Sequence, residues 1–357
     1  MGMSFHLRRA FALAAFAPFL LAGLASRGIA AEIVTTDLFI THHSIDDSYK
    51  QAKLDSTVQI HLREVVLAGN ERRASREGKI AVFAHGATTP GYIAFDLSCE
   101  GCSIMRYMAL AGWDTFTLDY EGYGRSTRQP TMEIPEAYPQ ANAPTHTEVA
   151  VDDLARVIEF IRNLRDVDKV YLLGWSLGAS RTAPIYTIQN PNRVAKLVLF
   201  APGYRNLGWV EALRGNADSY EKAKMLLTRP TLGGWKRFGA TDESVAPGTF
   251  DAYRDAMLAS DPRSGEMGGQ VRYPAGRIAD LLRFNPQFDA AKITVPTMVI
   301  RGNLDTFGTT ADSQLLVKEI GAATKKFVEI PGGSHNLPYE KVSTQFFKAV
   351  QDFFEEK

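Results

Sequence analysis

The run Val170-Tyr171-Leu172-Leu173-Gly174-Trp175-Ser176-Leu177-Gly178 decides the reading of this chain. Its first half is apolar, aromatic and β-branched, which reads as a buried strand. The second half is Gly-x-Ser-x-Gly, and residues 179–189 read as a helix. Strand, tight turn and helix in that order lift a serine hydroxyl above a sheet edge, the arrangement of a nucleophile elbow. The residues two positions either side must lack bulk for the chain to turn so sharply, and both are glycine.

Working outward, strands alternate with helices. Residues 79–84 form a continuous apolar strand, followed by His85-Gly86-Ala87-Thr88-Thr89-Pro90. A helix is expected over 104–111, then a strand over 114–119 and the glycine-rich turn 120–126. Thr145-x-x-Glu148 has the form of a capping box. Behind it Ala150, Leu154, Val157, Ile158, Ile161 and Leu164 mark one helical face that leads into the serine strand. Residues 195–200 are a further apolar strand, and 295–301 and 326–330 two more, each of these two followed by a turn and a helix. Upstream, residues 32–41 and 57–67 alternate apolar and polar and read as half-exposed antiparallel strands. His42-His43 falls between them and is expected to be a solvated loop. Near-continuous apolar strands separated by helices require a mostly parallel sheet covered on both faces. The rhythm breaks over 204–283, where Trp209, Tyr220, Trp235, Phe238, Phe250, Tyr253 and Met257 lie on helical stretches cut by prolines. That region reads as a helical cap, whose aromatics mostly hold it to the sheet.

These landmarks resemble the α/β-hydrolase fold, in the group carrying one cap after the sixth strand. They are His85-Gly86, Asp119-x-x-Gly-x-Gly-x-Ser126, the Ser176 elbow, Gly302-x-x-Asp305 and Gly333-Ser334-His335, in the expected order over residues 57–354. The resemblance implies an eight-stranded, mostly parallel sheet with helices on both faces. It divides the chain into a first core part (32–203), a helical cap (204–283) and a second core part (284–357). It also orders the chemistry as Ser176 nucleophile, Asp305 orienter and His335 base. Asp312 competes with Asp305 by position but fits the following helix, and Asp119 fits a structural turn. The oxyanion donors are expected to be the backbone N–H groups of Leu177 and Ala87, with Thr88 as the alternative to Ala87. The His85 side chain is expected to be structural.

Relatives that open epoxides or remove halogens carry aspartate at the elbow, so Ser176 argues for acyl-enzyme chemistry instead. The expected activity is carboxylic ester hydrolysis on a small molecule. Lactone, amide or carbon–carbon hydrolysis, perhydrolysis and a non-catalytic binding protein are the alternatives. No cofactor motif is present, and no cofactor is expected.

The chain has 357 residues, 45% of them hydrophobic, and a formal net charge of zero, so nothing favours nucleic acid as a partner. Arg8-Arg9 precedes an apolar run over 10–24, and Gly28-Ile29-Ala30-Ala31 offers small residues for cleavage. This is the pattern of a signal peptide over 1–31, with a twin-arginine flavour although Leu7 replaces the usual Ser or Thr. An uncleaved anchor is the alternative; after cleavage no stable membrane insertion is expected, and the mature protein would be periplasmic or secreted. The two cysteines, Cys99 and Cys102, are then expected to close a local disulfide that stiffens the oxyanion loop. A thioredoxin-like redox pair is the other reading of that spacing. The seven histidines are scattered without ligand spacing, and no metal site is expected.

Overall fold

The computed structural model describes residues 32–357, so the expected signal peptide lies outside the described residues. One eight-stranded sheet runs through the molecule in the order β1-β2-β4-β3-β5-β6-β9-β10. The strands are β1 (Ile33–His43), β2 (Thr57–Leu67), β3 (Ile80–Ala84), β4 (Asp114–Leu118), β5 (Val170–Trp175), β6 (Val194–Phe200), β9 (Thr297–Gly302) and β10 (Lys325–Ile330). β1 pairs antiparallel with β2 and β2 antiparallel with β4; every other pairing is parallel. This is the architecture expected of the α/β-hydrolase fold.

The strand pleat explains why the central strands lack alternation. Val82 and Leu172 point to one face, where Leu154, Ile158 and Ile161 of the helix Thr147–Arg165 cover them. Their neighbours Phe83 and Leu173 point to the other, against Met105 and Met108 of Ile104–Leu110 and Phe346 and Val350 of Ser343–Glu355. Both faces are dry, so apolar residues run along both of them without a polar alternation. β1 is an edge strand with one wet face, and its alternation survives.

Between β6 and β9 the chain leaves the sheet. It forms short helices, including Gly208–Leu213, Leu232–Arg237, Thr249–Ala259 and Gly276–Arg283. The expectation of purely helical structure here needs correction. β7 (Leu226–Thr228) pairs antiparallel with β8 (Val271–Tyr273), runs too short to show a period in sequence. Trp235 stacks on Tyr339 at 5.2 Å and meets Tyr253 at 4.8 Å, so these aromatics do fasten this segment to the rest.

Two further expectations change, and a third concerns the cysteine pair. His42 belongs to β1, and its side chain is only 9% exposed, so it is not on a solvated loop. Thr145 does not cap the helix; it takes a positive φ of 56°, and its hydroxyl donates to the Glu121 carbonyl at 3.1 Å. The helix begins at Thr147 instead, and Asp280 from Gly276–Arg283 accepts the Thr147 N–H at 2.7 Å. A distant carboxylate has replaced the local cap. Cys99 and Cys102 are joined in the expected disulfide, and along the chain the helix Gly91–Asp96 lies between it and the turn at 85–90. It braces the loop ahead of Ile104–Leu110, where Ser343 donates to the Gly101 carbonyl at 3.0 Å.

Candidate active site

The sheet order places the expected residues side by side. β3 and β5 are neighbours, with Ala84 opposite Gly174, so His85-Gly86 emerges beside the serine turn. β9 and β10 follow across β6, and the loops after them carry Asp305 and His335. All these loops leave the carboxyl edge, the place where open α/β sheets collect their functional groups.

Ser176 has φ +56°, a conformation that non-glycine residues avoid and that a nucleophile elbow imposes. The flanking glycines are there for space. A Cβ on Gly178 would lie 2.2 Å from the Ala84 carbonyl oxygen, and one on Gly174 2.6 Å from the Gly178 backbone. The turn is fixed by Ser176 N–H donating to the Phe200 carbonyl at 3.0 Å and by Ser180 N–H and Oγ both donating to the Ser176 carbonyl at 2.8 Å. The expected helix after the serine starts as a π-helical turn, Gly178–Thr182, and becomes α-helical at Ala183–Gln189. Single π turns of this kind often occur at functional sites.

The His335 Nε2 lies 2.9 Å from Ser176 Oγ, and its Nδ1 lies 3.0 Å from Asp305 Oδ2. Asp305 Oδ1 accepts the Phe307 N–H at 2.8 Å, which fixes the carboxylate plane. The imidazole is walled by Phe307 at 4.8 Å and Phe238 at 5.4 Å, the latter an aromatic from the segment between β6 and β9. Ser176, Asp305 and His335 are each 6–7% exposed. Among the described residues, their neighbours include no metal-binding cluster.

The two rival aspartates lie elsewhere. Asp312 accepts the backbone N–H groups of Tyr204, Arg205 and Asn206 at 2.8, 3.0 and 2.9 Å, fastening the loop after β6. Asp119 binds His61 Nδ1 at 2.9 Å and the Arg125 N–H at 3.0 Å, holding the glycine-rich turn. Neither reaches His335.

At the expected oxyanion donors, Gly86 sits hard against the serine: a Cβ there would be 3.0 Å from Ser176 Cβ. The Gly86 carbonyl accepts from His85 Nδ1 at 3.0 Å and from Arg277 Nη1 at 2.8 Å. In a trans peptide the C=O and the next N–H point in opposite directions, so holding Gly86 O aims the Ala87 N–H away from Arg277. Neither Ala87 N–H nor Leu177 N–H has an acceptor within the described residues. Leu177 and Ala87 share an apolar cluster with Leu207, Val210, Leu281 and Leu282.

His85 Nε2 accepts the Tyr120 N–H at 3.2 Å, which makes Nδ1 the protonated nitrogen. Burial, with Arg277 nearby, pushes this imidazole down to about 3, so it is neutral and structural. Arg277 itself was invisible in the sequence reading. It is 1% exposed, reaches Thr182 Oγ1 at 3.2 Å, stacks over Tyr120 at 4.8 Å, and leaves its Nε without a partner. No local pattern marks it, because Gly86 is 191 residues away.

Comparison with known proteins agrees with this fold. Residues 98–342 match the family described as serine aminopeptidase, S33. A 2-hydroxy-6-oxononadienedioate/2-hydroxy-6-oxononatrienedioate hydrolase of Cupriavidus pinatubonensis is 24% identical over 242 residues, 67% of this chain and 74% of the relative. An esterase of Thermogutta terrifontis superposes with a TM-score of 0.59 at 15% identity, covering 89% of this chain and 98% of that one. The 2-hydroxy-6-oxo-6-phenylhexa-2,4-dienoate hydrolase of a Rhodococcus strain gives 0.55 at 15% identity, over 90% and 100%.

Proposed function

The chain belongs to the serine aminopeptidase S33 family of hydrolases with the α/β-hydrolase fold, and from that premise we propose that it is an exported serine esterase working through an acyl-enzyme. The observation that carries the reading is the continuous chain of contacts from Asp305 through His335 to Ser176, at 3.0 and 2.9 Å. Ser176 Oγ attacks the ester carbonyl carbon while His335 Nε2 takes its proton. Asp305 keeps Nδ1 protonated and stabilises the imidazolium without accepting the proton. The carbonyl oxygen becomes an oxyanion facing the Ala87 and Leu177 N–H groups. His335 then gives its proton to the leaving alcohol as the C–O bond breaks. A water, deprotonated by the same nitrogen, attacks the acyl carbon and releases the acid and free Ser176.

The surroundings favour an ester over an aminopeptidase substrate. The donors lie in an apolar cluster, and the buried charge bonded to the oxyanion turn is a cation, Arg277. An aminopeptidase must hold its substrate's ammonium, which a cation there repels. The same cation supports a second reading, hydrolysis of a carbon–carbon bond in an anionic substrate of the kind named for the Cupriavidus relative. Export is supported by the leader pattern in residues 1–31 and by the disulfide, a bond that persists in oxidising compartments. Fractionation of cells producing the full chain tests it: a shortened periplasmic form supports export, and a full-length cytoplasmic one refutes it.

A p-nitrophenyl ester series, run with wild type and Ser176→Ala, tests the chemistry. Turnover with a clear chain-length preference, lost by about a thousandfold or more in the variant, supports the esterase. Rapid loss of 2-hydroxy-6-oxononadienedioate with idle esters moves the assignment to carbon–carbon hydrolysis. Equal activity of Ser176→Ala and wild type refutes both.

A further inference from the structure

Away from Ser176, the end of β1, the turn after β4 and the first turns of Thr147–Arg165 converge on one polar cluster. His42, Glu121 and Asp153 each present a ligand atom, and these atoms all lie within 4.8 Å of one another. Glu121 and Asp153 are fully buried, and the His42 side chain is 9% exposed. We propose that His42, Glu121 and Asp153 form a structural site for a divalent transition cation, zinc or manganese.

The hydrogen bonding defines which atoms are free. His42 Nδ1 lies 3.0 Å from the His43 carbonyl, an acceptor, so Nδ1 carries a proton, and in the neutral ring Nε2 presents its lone pair. Nε2 faces Asp153 Oδ1 at 3.2 Å without forming a hydrogen bond. Asp153 Oδ2 is engaged by the Glu121 N–H at 2.9 Å, and Glu121 Oε2 by Gln129 Nε2 at 3.3 Å. His42 Nε2, Asp153 Oδ1 and Glu121 Oε1 remain without partners. An unpaired buried acceptor is costly, and three lone-pair donors facing one another are worse, since they also repel.

Among the described residues no lysine or arginine pairs with the two carboxyls, so burial and repulsion among the carboxylates push Glu121 up to about 10 and Asp153 to about 7, and without a cation a proton takes its place. The remaining charged groups facing the cluster, Asp46 and Asp152, are acidic. The phenol of Tyr49 and the amide oxygen of Gln129 are also buried and unpartnered, Gln129 being tied to the cluster through its Nε2. A cation supplies the missing partner for all three ligand atoms.

The donor set selects the ion. One imidazole nitrogen and two carboxylate oxygens suit zinc or manganese; calcium takes oxygen only, and no thiolate is present for softer ions. A water would complete the shell. The second histidine-ligand feature is already in place, because the other ring nitrogen is held by a backbone carbonyl. The site would tie β1, the 119–126 turn and Thr147–Arg165 together. Tyr120, next to Glu121, lies 4.4 Å from the His85 ring, so the same turn braces the residues behind the oxyanion donors.

The test uses the tag-free protein, stripped with chelator and dialysed, then titrated with zinc chloride or manganese chloride. Metal content is read by mass spectrometry and stability by the thermal midpoint. The proposal expects one equivalent of one of these ions per chain and a midpoint that rises with its concentration. Asp153→Asn and His42→Ala should each weaken binding by about 100-fold or more, since even outer-shell losses reach that range. Two results would overturn it: a wild type that holds no stoichiometric zinc or manganese, or binding that survives unchanged in folded His42→Ala. The wild-type titration decides the matter even if Asp153→Asn does not fold.

Discussion

Replacing Asp305 by Asn changes one atom in size and almost nothing in shape, yet it should cost nearly all the activity. The Asp305 side chain accepts two hydrogen bonds, from Phe307 N–H at 2.8 Å and from His335 Nδ1 at 3.0 Å. An Asn has one oxygen and one NH2 to meet those two donors. The Phe307 N–H is backbone and cannot adapt, so it takes the oxygen, and the NH2 then faces Nδ1. The imidazole must respond by moving its proton to Nε2, the nitrogen 2.9 Å from Ser176 Oγ. In that tautomer His335 donates to the serine and can no longer accept its proton. Loss of the correct tautomer elsewhere lowers kcat by about 10⁴, or about 5 kcal/mol of transition-state stabilisation. The folded state loses only charge-assisted character in two hydrogen bonds, so the melting midpoint should stay within about 5 °C. Esterase kinetics on purified Asp305→Asn would show kcat collapsed with KM little changed. Asp312→Asn is the control: it holds three backbone N–H groups after β6 and should reduce stability while retaining turnover. If Asp305→Asn kept activity within tenfold of wild type, the tautomer argument would be wrong.

Gly86→Ala would push a methyl to 3.0 Å from Ser176 Cβ and 3.3 Å from the Trp175 carbonyl, displacing the serine by a few tenths of an ångström. Because small misplacements of reacting groups are expensive, kcat/KM should fall by about tenfold or more in a folded protein, as steady-state kinetics would reveal. His146, bridging Asp280 at 2.8 Å and Glu221 at 3.3 Å, is raised to about 9 against the opposing effect of burial. A raised folded value means its stabilisation is complete below about 6.5 and fades as pH climbs through about 9. Melting midpoints should therefore drop between pH 7 and 10 in wild type, and His146→Gln should flatten that slope. Mild reductant should lower stability by about 2 kcal/mol on loop-entropy grounds, since Cys99 and Cys102 close a very short loop. Turnover should survive it, because Gly91–Asp96 stands between the disulfide and the oxyanion turn; parallel loss of activity would show that the two are coupled.

Much of this protein was written locally enough to be read along the chain. A strand that is buried on both faces is apolar over most of its length, so β3, β5, β6 and β9 declare themselves without any partner in view. The elbow is equally local, since Gly174 and Gly178 are demanded by clashes within a few residues of Ser176 or with the adjoining strand. Asp305 and His335 followed from their order after the last two strands, where parallel topology delivers every such loop to one edge. What the tertiary structure alone decided are contacts between segments that share no local signal. Asp280 caps a helix 133 residues earlier in place of Thr145, and Arg277 grips the Gly86 carbonyl. His42 looked solvated because its neighbours in sequence are polar, yet Asp153 and Glu121 enclose it in space. Periodicity reports which face of an element is dry; it carries no information about which distant polar group arrives to satisfy a buried one.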